Sequence, residues 1–127
     1  MEGKKGKILL VEDDQMIVEM YKLRLEADGF EVVVTDKGSR ALELAQQERF
    51  NIILLDVILP ETDGFSILQG LKSEEKTKNI PVLLLTNLGQ ESDKDKGIQL
   101  GAADYFVKSQ HTPAEVLSKI NELLLSK

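Results

Sequence analysis

Two kinds of segment alternate along the chain. Five short runs are continuously apolar and lack the alternation of a half-exposed strand, which is typical of strands covered on both faces. These runs lie at residues 8–11, 32–34, 52–55, 82–85 and 105–107. The segments between them space their apolar residues as helices do. The pattern therefore predicts five strands alternating with five helices.

The first helix is predicted over residues 15–28, with Asp14 as its N-cap and Gly29 at its end. Its buried face is predicted to contain Ile17, Met20, Tyr21 and Leu25, and to be widened by Met16, Leu23 and Ala27. Three further helices are predicted at residues 38–47, 66–73 and 91–100.

The last two helices differ in how strongly the sequence marks them. The final helix has Thr112 as its cap, Pro113 at its first position and Glu115 placed to complete a capping box. The segment 91–100 has only Ile98 and Leu100 to bury and carries a glycine in mid-helix, which costs about 1 kcal/mol relative to alanine. We therefore expect this helix to be weakly anchored.

Strands that alternate with helices predict an α/β fold, because right-handed crossovers place successive helices on the two faces of a parallel sheet. The chain has 127 residues, of which 42% are hydrophobic and 30% charged, the composition of one globular domain. We predict a single doubly wound (βα)5 domain with a five-stranded parallel sheet over residues 1–127.

Composition and charge exclude several classes of protein. Cysteine is absent, which excludes disulfides, zinc ribbons and thiol nucleophiles. The net charge of −6 disfavours direct binding to nucleic acid or to anionic membranes. The apolar runs are too short to span a bilayer, and residues 8–11 are too short for the apolar part of a signal peptide. We expect a cytoplasmic protein.

Chemically active side chains stand where the predicted strands end, and ligands of such sheets bind at this edge. Glu12 and Asp13 follow the first strand, Asp56 the third, Thr86 the fourth and Lys108 the fifth. Three carboxylates in one cleft repel one another unless a cation lies among them, and Mg²⁺ prefers oxygen ligands. A lysine and a hydroxyl beside them would neutralise a phosphoryl group in transfer, and a carboxylate can accept it.

Four sequence fragments carry a resemblance to a known family. They are KILLVEDD at residues 7–14, LLDVILPETDG at 54–64, LLT at 84–86 and GAADYFVK at 101–108. Together, and in this order, they resemble the receiver domain of bacterial two-component response regulators over residues 7–124. The resemblance implies the flavodoxin-like strand order 2-1-3-4-5. It also matches Pro60 and Gly64 to the loop after the acceptor.

The resemblance implies a role for each matched residue. Asp56 would accept a phosphoryl group from a sensor histidine kinase or a phosphotransfer protein. The chain would then be a phosphoacceptor and not a classical enzyme, although it would assist its own phosphorylation and dephosphorylation. The implied ligands of Mg²⁺, with Mn²⁺ as the alternative ion, are Glu12, Asp13, Asp56 and the main-chain carbonyl of Ile58. The implied contacts of the phosphoryl oxygens are Thr86, Lys108 and the main-chain N–H of Asn87.

Thr86 and Tyr105 would form the switch. We hypothesise that phosphorylation pulls Thr86 toward the phosphate, lets Tyr105 turn inward and reshapes the surface of helix 4, strand 5 and helix 5, where a downstream effector would bind. The last helix carries apolar surface at Leu117, Leu124 and Leu125, and a homodimer formed through this surface is the alternative to an effector. A stand-alone regulator and a receiver excised from a larger protein remain open alternatives.

Two positions depart from the family pattern. Ser109 replaces the usual proline after the lysine, so we predict a trans Lys108–Ser109 bond, or a strained cis bond held by packing. Asn87 is larger than the residue usual at its position, and we hypothesise that it narrows access to Asp56 and slows phosphoryl transfer or hydrolysis.

Competing functions fit the sequence less well. A haloacid-dehalogenase-like phosphohydrolase needs an aspartate where Ile58 stands, and a flavodoxin-like nucleotide binder needs a phosphate loop after strand 1 that this chain lacks. A receiver-shaped interaction module that is never phosphorylated is the remaining alternative. For Asp14, capping of the first helix is the favoured interpretation over a role in the site.

Overall fold

The computed structural model describes residues 5–125, which form a parallel sheet between two layers of helices. The strands β1 to β5 are Gly6–Val11, Phe30–Thr35, Ile52–Leu55, Val82–Thr86 and Asp104–Val107. The helices α1 to α5 are Gln15–Ala27, Gly38–Gln47, Gly64–Ser73, Glu91–Gln99 and Pro113–Leu125. All four strand pairings are parallel and the order is β2-β1-β3-β4-β5, which confirms the predicted topology.

Successive residues of the inner strands enter two different cores. Ile8 and Leu10 of β1 face α1 and α5, whereas Leu9 and Val11 face the core shared with α2 and α3. All four side chains are buried. Residues 8–11 and 52–55 are therefore apolar at every position, because helices cover both faces of the sheet there.

The register of the sheet aligns the carboxyl ends of the strands. Val11 pairs with Leu55, and the Asp56 N–H donates to the Val11 carbonyl at 3.0 Å. On the other side of β1, the Glu12 N–H donates to the Thr35 carbonyl at 3.0 Å. These bonds place residues 12 and 56 next to each other at the edge of the sheet.

The predicted caps of the first and last helices are confirmed. The Asp14 carboxylate accepts the N–H groups of Met16 and Ile17, at 3.0 and 3.3 Å. Thr112 and Glu115 form the reciprocal capping box at 2.7 and 3.2 Å. These bonds satisfy amide groups that the first turn of a helix leaves without partners.

Helix α3 begins at Gly64, two residues earlier than predicted. The Asp63 carboxylate caps it by accepting the N–H of Phe65 at 2.9 Å. The glycine at the start of the helix allows a close approach to the loop after β3, because a Cβ there would lie 2.4 Å from the Asp56 carbonyl oxygen. Gly64 thus sets how closely α3 packs against the residues that follow β3.

The predicted buried face of α1 was wrong in part. Val18, Tyr21 and Leu25 are its buried residues, and Ile17 packs against them at the margin. Met16, Met20, Leu23 and Ala27 are exposed. At 100° per residue the exposed four lie on the side of the helix opposite the buried three, and one helix rests on a sheet with only one face.

Helix α4 also differs from its prediction, since Ile98 is 44% exposed and Gly97 is the residue that α4 buries. Leu100, which follows the helix, is half-buried as expected. Within residues 5–125, none of the helices combines the length and the apolar character that a bilayer crossing requires.

Candidate functional site

Three carboxylates meet at the carboxyl edge of the sheet. Glu12, Asp13 and Asp56 each contribute an oxygen, and these oxygens all lie within 4.8 Å of one another. Glu12 is 2% exposed and Asp56 is 5% exposed, whereas Asp13 is open to solvent. The structure therefore brings together the three acidic residues that the sequence predicted to meet.

The Lys108 ammonium lies between two of these carboxylates. Its Nζ atom is 2.7 Å from Glu12 Oε1 and 3.0 Å from Asp56 Oδ2. The N–H of Lys108 donates to the Thr86 carbonyl at 2.8 Å, which extends the pairing of β5 with β4 and directs the lysine to this edge. Residues 5–125 contain no cis peptide bond, so Lys108–Ser109 is trans, the first of the two alternatives drawn from the sequence.

Burial and charge shift the pKa values of the two most enclosed groups. Burial raises the pKa of the Glu12 carboxyl, and the charge of Asp56 acts in the same direction, against opposing contacts with Lys108 and the Asp14 N–H. Burial by itself would lower the pKa of the Lys108 ammonium, but the contacts with Glu12 and Asp56 outweigh it and raise that pKa. The lysine is thus held in its charged form.

The orientation of Asp56 is fixed from two sides. Its Oδ2 atom bonds to Lys108, and its Oδ1 atom accepts the N–H of Ile58 at 3.0 Å. The Ile58 side chain itself is 53% exposed beside the site. The Asp56 carboxylate is therefore held in place while one side of it faces an open cleft.

That cleft has a volume of about 330 Å³. It is lined by Glu12, Asp13, Asp14, Asp56, Ile58, Leu59, Pro60, Asn87 and Lys108. A larger cleft of about 590 Å³, which includes Arg49, Phe50 and Lys76, contains none of the predicted site residues. The chemistry predicted from the strand ends is thus concentrated in the smaller cleft.

The residues of the cleft fit a divalent cation. Three carboxylates face one ammonium, so their formal charges leave an excess of two negative charges. Glu12 Oε2 accepts the Asp14 N–H at 3.0 Å, but the buried Oε1 accepts no hydrogen bond from the described residues and has only its ion pair with the lysine. An all-oxygen site with an excess of negative charge, in which a buried carboxylate oxygen has only the lysine as its partner, suits Mg²⁺.

Thr86 and Tyr105 lie behind the cleft rather than along its wall. Thr86 is fully buried, and its Oγ1 accepts the N–H of Leu88 at 3.4 Å. The Tyr105 ring is already buried, and its hydroxyl donates to the Leu88 carbonyl at 2.6 Å. Burial raises the pKa of Tyr105 to about 12, with the charges of Asp93 and Asp56 adding to the effect.

The bonds of Leu88 with Thr86 and Tyr105 were not predicted from the sequence. Leu88 makes both bonds with main-chain atoms, which every residue type has, so its identity gives no signal. The cleft contact of Leu59 was also not predicted, because an apolar residue in a loop resembles any other.

Comparisons with known proteins show which family this chain matches. The family model described as the response regulator receiver domain matches residues 8–121. The probable transcriptional regulator ycf27 of Cyanophora paradoxa is 40% identical over 124 residues, which are 98% of this chain and 50% of that protein. The chain thus spans about half the length of the curated relatives it matches.

Solved structures show the same fold. The receiver domain of the Francisella response regulator 1452 has a TM-score of 0.88 at 29% identity, covering 96% of this chain and 98% of that chain. The receiver domain of the sensor histidine kinase PA1611 from Pseudomonas aeruginosa PAO1 has a TM-score of 0.85 at 28% identity, covering 97% and 98%. That structure has a magnesium ion coordinated in its active site cleft.

Proposed function

Because this chain belongs to the family of response regulator receiver domains, we propose that Asp56 accepts a phosphoryl group and that the acceptance switches a protein-binding surface. The observation that carries the proposal is the position of the Lys108 ammonium, 3.0 Å from the Asp56 carboxylate within a cluster of three acidic side chains. The family is not one of classical enzymes, and the chain would act as a phosphoacceptor.

In the proposed reaction, a carboxylate oxygen of Asp56 attacks the phosphorus of a phosphohistidine. A P–O bond forms, the P–N bond breaks, and the electron pair of that bond remains on the imidazole nitrogen, which takes a proton from solvent. The Ile58 N–H holds Oδ1 of Asp56 while Lys108 stands beside Oδ2. The fixed ammonium would offset the charge that accumulates on the phosphoryl oxygens without reorganising as the reaction proceeds.

Receiver domains bind Mg²⁺ in an acidic pocket, and we propose Glu12, Asp13, Asp56 and the Ile58 carbonyl as the ligands in this chain. When bound, the ion would neutralise phosphoryl oxygens and reduce repulsion among the carboxylates. Mn²⁺ also prefers oxygen ligands and is the alternative ion. In the absence of either, the carboxylates would repel an incoming phosphoryl group.

We propose two further contacts for the phosphoryl oxygens. Asn87 lines the cleft, and its main-chain N–H is the proposed donor there. The Thr86 hydroxyl is the second proposed contact. Its bond with the Leu88 N–H uses an oxygen lone pair and not the hydroxyl proton, which would donate to a phosphoryl oxygen. Through these groups and Lys108 the chain would assist both its own phosphorylation and the later hydrolysis of the acyl phosphate.

Receiver domains interact with kinases and effectors, and the specific partners of this chain are part of the proposal. A sensor histidine kinase or a phosphotransfer protein would supply the phosphoryl group. The surface of α4, β5 and α5 would bind the downstream effector, with a homodimer as the alternative occupant. We also propose that residues 1–127 form one receiver domain.

The proposal is tested by intact mass spectrometry after incubation with Mg²⁺ and phosphoramidate. We expect a mass gain of one phosphoryl group that hydroxylamine removes and that Asp56→Asn abolishes. Asp95→Asn, which changes an exposed aspartate of α4, is the matched control and should retain the gain. Absence of any gain in the native chain would favour the interaction module that is never phosphorylated.

A further inference from the structure

Helix α4 rests on the sheet through a glycine. Gly97 is the buried residue of this helix, while its neighbour Ile98 is 44% exposed. A helix on a sheet normally buries a stripe of aliphatic side chains, whose size sets its distance from the strands. Here the backbone itself approaches the sheet, so the position of α4 depends on the absence of a side chain.

A methyl group at position 97 would force its neighbours to shift. A Cβ atom there would lie 2.5 Å from Leu84 Cδ1 and 3.2 Å from Tyr105 Cδ2. Carbon atoms in ordinary contact are about 3.5–4.0 Å apart. Leu84 is fully buried in β4 and the Tyr105 ring is 5% exposed, so neither can withdraw without repacking the core.

The ring that faces Gly97 is linked to the phosphoacceptor site. The Tyr105 hydroxyl donates to the Leu88 carbonyl at 2.6 Å, and the Leu88 N–H donates to Thr86 Oγ1 at 3.4 Å. Leu88 directly follows Asn87, which lines the cleft. One residue of the β4–α4 loop is therefore held by the tyrosine on one side and by the threonine on the other.

We propose that Gly97 is a positioning residue for the phosphoacceptor site, acting through Tyr105 and Leu88 on Thr86. The space that glycine leaves lets the tyrosine ring stay buried, and the ring holds the loop that orients the Thr86 hydroxyl. A side chain at position 97 displaces the ring and releases this loop. The effect on phosphorylation rests on the proposed function of Asp56, whereas the packing relationship does not.

The packing relationship is tested by fluorine NMR of the chain labelled with meta-fluorotyrosine. The chain has two tyrosines and no tryptophan, and Tyr21 lies in the other core, where it serves as an internal reference. In Gly97→Ala, we expect the Tyr105 signal to shift and its relaxation by a soluble paramagnetic probe to rise several-fold. The Tyr21 signal should not change.

The matched control is Gly89→Ala, which adds the same methyl group nearby. Its Cβ would lie 3.7 Å from Val107 Cγ1, an ordinary contact, so both tyrosine signals should stay as in the native chain. If Gly97→Ala does not fold, its combination with Leu84→Val removes the closest clashing atom. The 3.2 Å approach to the Tyr105 ring remains, so the Tyr105 signal should still shift. A Tyr105 signal of native position and relaxation would overturn the proposal.

The link to the site has two readouts. Amide exchange at Leu88 should speed up in Gly97→Ala without any phosphoryl donor, and native exchange there would overturn the link.

The second readout is the rate of phosphorylation by phosphoramidate. Gly97→Ala and Tyr105→Phe should each change this rate by the same factor. The double variant should show that factor once, not its square, because both changes act through the tyrosine. Multiplying factors would show that Gly97 acts independently of the tyrosine. If Asp56 does not accept phosphate, the amide exchange at Leu88 still tests the link, because that measurement needs no phosphoryl donor.

Discussion

The Nζ atom of Lys108 lies 3.0 Å from Oδ2 of Asp56, although the two residues are 52 positions apart in the sequence. This contact holds a positive charge beside the Asp56 carboxylate, from the residue that follows the edge strand β5. The ammonium is also paired with Glu12, so two buried carboxylates share a single cation.

Replacing Lys108 with methionine should destabilise the fold. The change keeps an unbranched apolar stem but leaves Glu12 and Asp56 without their cation. Breaking a fully buried ion pair costs roughly 3–5 kcal/mol, and because this cleft is open to water we expect a loss of about 2 kcal/mol in the free energy of unfolding. Urea unfolding near neutral pH measures it. Lys94→Met, at an exposed lysine of α4, is the control, and an equal loss in both variants would contradict the prediction.

Asp13→Asn should have the opposite effect on stability when no divalent ion is present. It removes one of three carboxylates that lie within 4.8 Å of one another. Since Asp13 is exposed and its charge is screened, we expect a gain of roughly 0.5–1 kcal/mol. Thermal unfolding with and without Mg²⁺ tests both parts: Mg²⁺ should stabilise the native chain and have little effect on the variant. A variant that Mg²⁺ stabilises as much as the native chain would argue against Asp13 as a ligand.

Tyr105→Phe should change how stability depends on alkaline pH. The pKa of Tyr105 is raised to about 12 in the folded chain, from 10.0. The stability it contributes is therefore complete below pH 10 and is lost as the pH rises toward 12. Near pH 8 the variant should be less stable by about 1 kcal/mol, because the bond to Leu88 is lost. That difference should shrink above pH 10, and a difference that is constant with pH in urea unfolding would refute the prediction.

Asn87→Ala should shorten the lifetime of the acyl phosphate. Asn87 lines the cleft, and its side chain is exposed beside the acceptor. If it narrows the path for water, removing it should speed hydrolysis several-fold and also raise the rate of phosphorylation by phosphoramidate. The decay of phosphorylated protein, followed by intact mass, gives the lifetime. Gln90→Ala, an exposed residue of the same loop, is the control, and equal lifetimes in the native chain and Asn87→Ala would reject the role.

Phosphorylation should alter amide exchange in helix α4. This helix buries a glycine and otherwise presents exposed or half-buried residues, so it is held to the sheet by few contacts. Weakly stabilised elements are those that move in a switch. Beryllofluoride with Mg²⁺ serves as the phosphoryl mimic, and it should change exchange across residues 91–100. If the mimic alters amide protection at the cleft but leaves it unchanged across residues 91–100, the mimic binds without switching α4 and the prediction is contradicted.

Much of the fold followed from local pattern. Five apolar runs predicted five strands because only helices on both faces allow every residue of a strand to be buried, as Ile8 and Leu9 show. The capping box of Thr112 and Glu115 was predicted because it joins residues three apart. The meeting of Glu12, Asp13 and Asp56 was predicted because parallel strands end at one edge.

The error in the buried face of helix α1 has a physical origin. The spacing of Met16, Met20 and Leu23 fits an apolar face as well as that of Val18, Tyr21 and Leu25 does, and a helix with two apolar sides does not indicate which one meets the sheet. The movement of Tyr105 on phosphorylation stays a prediction; the structure shows a ring that is 5% exposed.

The amino-acid sequence by itself determined the order of elements, the caps of the first and last helices and which residue types stand at the strand ends, because these depend on neighbours along the chain. Only the tertiary structure decided which helix faces are covered, that Glu12 shares the lysine with Asp56, and that Leu88 joins Tyr105 to Thr86. Those relationships depend on distances between segments far apart in sequence and on main-chain atoms that every residue type has in common.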